Sequence, residues 1–258
     1  MREDPTIAAA RALLDRAPRV LVFTGAGISA DSGLPTFRGA DGLWRRFRPE
    51  ELATPDAFRR DPRLVWEWYA WRRERIAACR PNAAHLAVAR WMMRRDGVTL
   101  VTQNVDGLHE EAARETASET GGDPARAAPI GLHGSIFRLR CTRCPERRDH
   151  RGPIDTADER TLPHCGTCGA LLRPDVVWFG EPLPEAELSR ATRAASGADA
   201  CLVIGTRGAV HPAAGLVLLA RRRGARIAVV DPGETAFDAV ADVRLHLRAA
   251  QGVPLILG

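Results

Sequence analysis

Lysine is absent from this chain of 258 residues: all 37 of its basic residues are arginine, set against 32 acids for a net charge of +5. The arginines are spread along the sequence. Clusters such as Arg72-Arg73, Arg94-Arg95 and Arg221-Arg222-Arg223 fall on predicted helices, where a solvated face is the ordinary reading. So small an excess argues against a specific nucleic-acid site. No apolar run approaches the roughly 18 residues needed to cross a bilayer, so no membrane partner is expected. The N-terminus, Met1-Arg2-Glu3-Asp4-Pro5, carries acids and lacks the apolar stretch of a secretory signal, which makes the cytoplasm the expected location. Tyrosine occurs once, at Tyr69. What remains, 45% hydrophobic residues, is ordinary for a folded chain with one large domain, or one carrying a smaller satellite.

Cysteine is sparse but patterned. Cys79 and Cys201 lie in helical or apolar surroundings. The other four form two C-x-x-C pairs, Cys141-Thr142-Arg143-Cys144 and Cys165-Gly166-Thr167-Cys168, separated by 20 residues. In a cytoplasmic chain this is neither a disulfide framework nor a redox pair. Each pair places two thiolates on one ion, and together they complete a tetrahedral zinc site; His164 is a spare ligand that a full thiolate shell does not need. With no open coordination position suggested, the zinc is expected to be structural.

Near-continuous apolar runs at 19–23, 98–102, 200–204 and 226–230 read as parallel strands buried on both faces, with a weaker run at 243–247. Helical patterns lie between them, at 7–16, 83–94, 185–195 and 213–222. Strand and helix in alternation predict an α/β fold with a Rossmann-like, doubly wound parallel sheet. Two stretches interrupt it and are too long for ordinary loops. The predicted division is a nucleotide-binding domain of residues 1–40, 81–136 and 174–258, with a helical insertion, 41–80, and a zinc-binding insertion, 137–173, forming a small domain. Residues 110–129, with Gly121-Gly122-Asp123-Pro124 near the middle, read as a surface helix end and loop.

The first strand runs into Thr24-Gly25-Ala26-Gly27-Ile28-Ser29-Ala30. Glycines there permit a tight turn and close approach to a pyrophosphate, with a helix N-terminus expected to follow. A simple dehydrogenase would hold the ribose with an acid about 20 residues later, at the end of its second strand. Here that region is Gly42-Leu43-Trp44-Arg45-Arg46, and the strand-end acid comes much later, at Asp231. Hydride transfer therefore need not be the cofactor's role.

The continuation, Gly25-Ala26-Gly27-Ile28-Ser29-Ala30-Asp31-Ser32-Gly33-Leu34-Pro35-Thr36-Phe37-Arg38-Gly39, closely resembles the signature loop of the sirtuins. Three further blocks follow in sirtuin order: Thr102-Gln103-Asn104-Val105-Asp106-Gly107-Leu108-His109, Leu132-His133-Gly134-Ser135, and Arg173-Pro174-Asp175-Val176-Val177-Trp178-Phe179-Gly180-Glu181. The resemblance covers nearly the whole chain from about residue 18. It implies an NAD-dependent protein-lysine deacylase that consumes NAD and releases nicotinamide and O-acyl-ADP-ribose. The acyl oxygen attacks the anomeric carbon, and His133 activates a ribose hydroxyl as general base. The resemblance further implies that Gly25, Ala26, Gly27, Ile28, Ser29, Phe37, Arg38, Gln103, Asn104, Asp106, Gly205, Thr206 and Asp231 bind the cofactor. By the same token His109 is structural, and Val176, Val177, Phe179 and Gly180 pair with the peptide backbone.

On a helix, Tyr69 and Arg72 share a face, and a guanidinium beside a phenol makes a clamp for a carboxylate. The sirtuin subgroup that removes succinyl, malonyl and glutaryl groups carries such a Tyr-x-x-Arg pair, with a small residue matching Ala53. Succinyl- or malonyl-lysine proteins or peptides, and acetylated ones besides, are thus the expected substrates, and a monomer is the expected state. Three departures stand out: Arg207 where the family commonly has Ser, Asp231 where it has Asn, and a longer spacer between His109 and His133. The alternatives are an NAD glycohydrolase or ADP-ribosyltransferase on the same scaffold, and, from another class, a zinc-ribbon binding module.

Overall fold

The computed structural model describes residues 4–34 and 49–258. Helix α1 (Pro5–Asp15) starts where Asp4 accepts from the Thr6 amide and proline takes the first turn, a position at which its missing N–H costs nothing. Strand β1 (Val20–Thr24) follows, then a 3₁₀ helix, Ala26–Ser32, that ends on left-handed Gly33. Helices α2 (Pro49–Leu52), α3 (Pro55–Arg60) and α4 (Pro62–Ala77) come next, the last two capped by Thr54 and Asp61. Helix α5 (Ala83–Arg94) begins with a reciprocal Asn82–His85 cap and leads to β2 (Val98–Thr102) and α6 (Leu108–Thr120). Strands β3 (Ile130–Gly131), β4 (Gly134–Cys141), β5 (Arg147–Asp149) and β6 (Leu172–Val176) follow. The chain closes with α7 (Glu185–Gly197), β7 (Ala200–Ile204), α8 (Gly215–Arg222), β8 (Arg226–Val230), β9 (Val243–Leu245) and α9 (Ala249–Leu257).

Six strands pair in the order β3-β2-β1-β7-β8-β9, all parallel. The order reverses between β1 and β7, and ligands of such sheets bind outside the strand ends at that switch point. Both faces of the sheet are covered. Val22, Leu202 and Ala228 join a cluster with α1, α5 and α9, while Leu21, Phe23, Val203 and Val229 join one with α7 and α8. Residues 110–129 differ from expectation. Helix α6 occupies most of them, burying Ala112, Ala113 and Ala117, and a short 3₁₀ turn at Pro124–Ala127 completes the segment.

A second sheet, β5-β4-β6, is antiparallel. It extends past both limits expected for the zinc insertion, because β4 starts at Gly134 and β6 runs to Val176. A third apolar cluster joins it to α3 and α4 through Phe58, Trp66, Tyr69, Ile136, Leu139 and Trp178. The helical insertion and the cysteine-bearing segment thus share one core.

Candidate active site

A cavity of about 900 Å³ opens at the switch point and runs from the ends of β7 and β8 to helix α4. Gly25, Ala26 and Gly27 line one wall, but the two glycines have a prior task. Their amides donate to the carbonyls of Ile204 and Gly205, at 3.1 and 2.8 Å. A methyl on Gly25 would come within 2.7 Å of the Thr206 side chain, and one on Gly27 within 2.7 Å of the Gly205 backbone. Gly205 in turn has φ +58 and would meet the Ile28 amide at 2.3 Å. The first and seventh strands therefore end in interlocked loops that only glycine permits. The helix that follows is of the 3₁₀ type. Phe37 and Arg38 lie outside the described residues.

Beneath the cavity a polar network is closed on itself. Ser29 donates to Asp106 Oδ2 at 2.8 Å and accepts from Asn104 Nδ2 at 3.2 Å, while Asp106 Oδ1 accepts from the Leu108 amide. His85 Nδ1 accepts from the Asn82 amide, so its Nε2 carries the proton toward Ser29, 3.4 Å away. His109 donates to Thr24, whose hydroxyl donates to Thr102. Burial keeps both histidines neutral, His85 at about 4 and His109 well below the ordinary value. Burial also raises the Asp106 carboxyl, against the pull of its hydrogen bonds and of Arg72. His109 thus stands under the floor as a buried prop, in keeping with a structural role. His85 has no signature in the sequence, where a lone histidine inside an amphipathic helix carries no signal.

His133 lines the cavity, following β3. Its Nδ1 lies 2.7 Å from the carbonyl oxygen of Gln103, which only accepts. The proton therefore sits on Nδ1 and leaves Nε2 with a lone pair. Burial lowers the His133 pKa, and the Gln103 carbonyl partly opposes the shift. Gln103 also donates to Thr206 Oγ1 at 3.0 Å, tying the end of β2 to the loop after β7.

The opposite end of the cavity is built by α4 and the segment after β6. Tyr69 and Arg72 both line it and both are buried. The guanidinium lies 4.6 Å from the centre of the Trp68 ring. Trp178 Nε1 donates to the Tyr69 hydroxyl at 2.9 Å, so the phenol proton is directed to a different acceptor. Burial raises the phenol pKa and keeps it protonated. The Val177 amide donates to the His133 carbonyl and the Phe179 amide to the Ala53 carbonyl, both at 2.9 Å. The Trp178 amide donates to Glu181, which Arg173 holds. These three amides are spent within the chain, so a peptide pairing with 176–180 would rely chiefly on carbonyl oxygens.

Away from the cavity, Cys141, Cys144, Cys165 and Cys168 place their four sulfurs within 4.8 Å of one another, with two pairs at 3.5 Å. Four thiolates around zinc at ~2.3 Å have sulfurs about 3.8 Å apart, so the donor set fits. Amides of Arg143 and Cys144 point at the Cys141 sulfur. No helix of the described residues is long and apolar enough to cross a membrane.

A parallel sheet reversed at its centre, a glycine interlock at the crevice and a neutral histidine facing it define a dinucleotide-site α/β protein. The Sir2 family model matches residues 25–212. An NAD-dependent protein deacylase of Aeropyrum pernix is 48% identical over 233 residues, 90% of this chain and 88% of that one. A protein of the same description from Ralstonia nicotianae is 47% identical over 255 residues, 97% and 95% of the two chains. A crystal structure of a Sir2 homolog in complex with NAD superposes with a TM-score of 0.86 at 42% identity, covering 99% of this chain and 93% of that one. The chain belongs to the Sir2 family.

Proposed function

We propose that this protein is an NAD-dependent protein-lysine deacylase that prefers acyl groups ending in a carboxylate, succinyl or malonyl, with acetyl-lysine as a lesser substrate. In this reading NAD, when bound, supplies the electrophilic anomeric carbon and the ribose hydroxyls that accept the acyl group. Gly25, Ala26, Gly27, Ile28, Gly205, Thr206 and Asp231 hold its ADP-ribose part, with Phe37 and Arg38 from the signature loop. Asn104 lines the nicotinamide end, with Ser29 and Asp106 assigned to the same pocket from just beneath it, and Gln103 orients the adjoining ribose. His133 takes a hydroxyl proton at Nε2, a role that its Nδ1 bond to Gln103 supports and that suits a histidine kept neutral at physiological pH.

The acyl-lysine of a protein or peptide enters between α4 and residues 176–180, against Val176, Val177, Phe179 and Gly180. Ala53 leaves room for the chain, and Tyr69 and Arg72 receive its terminal carboxylate. One observation carries this preference: a buried guanidinium and a phenol whose oxygen accepts from Trp178 line the same cavity as His133. A neutral acyl group has no use for either. The four thiolates hold one structural zinc that fastens the small sheet. The division into a nucleotide domain (1–40, 81–136, 174–258) and a small domain (41–80, 137–173) is part of the same reading; the third cluster supports the pairing of the two insertions, while the small sheet, 134–176, runs past the 137 and 173 limits, and the 40/41 limit lies outside the described residues.

The test compares kcat/KM on matched acetyl and succinyl peptides. A charge-assisted contact of about 1.5–3 kcal/mol means that Arg72→Met should lower desuccinylation roughly tenfold to a hundredfold, with deacetylation little changed. Equal losses on both peptides would reduce Tyr69 and Arg72 to packing residues and leave a general deacylase.

A further inference from the structure

We infer that Trp178 is the positioning residue of the acyl pocket: its indole N–H occupies one side of the Tyr69 hydroxyl and leaves the phenol proton for the terminal carboxylate of the acyl group. This rests on the acyl preference proposed above. It goes further, to a residue that acts on the substrate only through another side chain and yet sets how well the pocket tells succinyl from acetyl.

Trp178 follows β6, is 2% exposed and is held on several sides. Its main-chain amide donates to Glu181 Oε2 at 2.8 Å, and Glu181 holds Arg173 through bonds of 2.6 and 2.9 Å. The Arg173 guanidinium lies 3.1 Å from the centre of the indole ring, which closes a loop of contacts from backbone to carboxylate to cation to ring. Phe58 packs on the indole at 5.4 Å between ring centres. The amides of Val177 and Phe179, on either side, are tied to the carbonyls of His133 and Ala53. A ring held this way keeps one rotamer, and its single donor one direction.

That donor meets the Tyr69 oxygen at 2.9 Å. A phenol oxygen gives one proton and accepts with its lone pairs, and two hydrogens cannot share one line. With Trp178 in one position the Tyr69 proton turns elsewhere, and among the described residues none accepts it. Arg72, which lines the cavity beside Tyr69, carries only donors. An acyl group that ends in a carboxylate brings the missing acceptor, whereas an acetyl group ends in a methyl and brings none. Burial raises the Tyr69 pKa, and the charge of Arg72 and the Trp178 bond draw it back; a phenol so polarised is a stronger donor. Without the indole N–H the hydroxyl is free to turn, and part of the binding free energy is lost in ordering it.

The experiment is a double-mutant cycle of Trp178→Phe and Tyr69→Phe, with kcat/KM measured on matched succinyl and acetyl peptides. Trp178→Phe keeps an aromatic ring and removes the donor. It should narrow the succinyl-to-acetyl ratio by about three- to tenfold, the worth of one neutral hydrogen bond, mainly through KM for the succinyl peptide. Tyr69→Phe should narrow the ratio at least as much, and adding Trp178→Phe to it should narrow it no further. The indole N–H signal of Trp178, read by heteronuclear NMR without NAD, should shift in Tyr69→Phe, and in wild type it should move more with the succinyl peptide than with the acetyl one. Effects of the two substitutions that multiply, or equal losses on both peptides, overturn the inference. So does an indole signal indifferent to Tyr69→Phe, a measurement that does not depend on the folding of Trp178→Phe. A wild type with no preference for succinyl takes down the acyl reading and this inference together. A wild type that prefers succinyl, loses the preference in Arg72→Met and keeps it in Trp178→Phe leaves the acyl reading standing and removes the role of Trp178 alone.

Discussion

The two sheets of this molecule are held in place by different means. The six-stranded sheet is sandwiched between two apolar clusters, and its strands carry buried polar groups only at their ends, at Thr24 and Thr102 under the cavity. The small sheet and the helices against it bury guanidiniums instead. Arg73 donates to the carbonyls of Ile136, His150 and Gly152, and burial beside Arg151 lowers it to about 10. Arg173 is clamped on Glu181 with its plane over Trp178. Four thiolates complete the set. A large sheet covered on both faces gains enough from apolar burial to need few directional ties, whereas a small module does not and borrows metal and charge. Directional ties fix positions well, but they fail together when one is removed.

The sharpest way to break this contrast is to take the metal away. Cys141→Ser, or treatment with a chelator, should release one zinc and unfold the small sheet, since the binding energy of such a site, on the order of 10 kcal/mol, is largely folding energy. Hydrogen exchange read by mass spectrometry should show lost protection in β4, β5 and β6 while β1, β7 and β8 keep theirs. Full protection of the small sheet in a metal-free protein would erase the difference between the layers.

A smaller effect falls where the layers meet. His133→Ala should lower NAD-dependent deacylation by about 10²- to 10⁴-fold, the usual contribution of a general base, without changing zinc content or the melting temperature. Retained turnover would move the base to another residue. Because the His133 pKa lies below the ordinary 6.5, the acid limb of the wild-type rate profile should have its midpoint below that value as well.

The smallest effect targets the large layer. His85 and His109 take up protons readily once unfolded, near 6.5, but are held neutral in the fold, His85 down to about 4. The unfolded chain therefore binds more protons across that window. Their contribution is intact above 6.5 and is lost as pH falls toward 4, on the order of 3 kcal/mol from His85. Urea unfolding at successive pH values should show this slope in wild type and a shallower one in His85→Gln. Equal slopes would mean that the pair is not buried as neutral rings.

Much of this was legible in the sequence, for reasons that differ by element. Parallel strands buried on both faces advertise themselves, so four of the six strands of the large sheet fall where the apolar runs placed them, and β9 is only shorter. The zinc knuckles were legible because ligand spacing is a local property. The small antiparallel sheet was not, since β5 is Arg147-Arg148-Asp149, exposed throughout and without alternation. Helix α6 was hidden by its composition: alanines bury too little to mark a face until α5 is seen against them. The pairing of Trp178 with Tyr69, 109 residues apart, has no local signature. Nor has His85, whose meaning comes from Ser29 and Asp106 on other elements.

The interlocked glycines carry a consequence for how this site tolerates change. Gly27 and Gly205 touch through backbone on both sides and Gly25 packs on Thr206, so a methyl on any one wedges the two loops apart. Once one wedge is in place, the others meet less resistance, and the costs of combined substitutions will fall short of their sum. Loop grafts from a distant relative would meet the same limit. The loop after β1 and the loop after β7 behave as a single part with two chain segments, exchangeable together and intolerant of being exchanged alone.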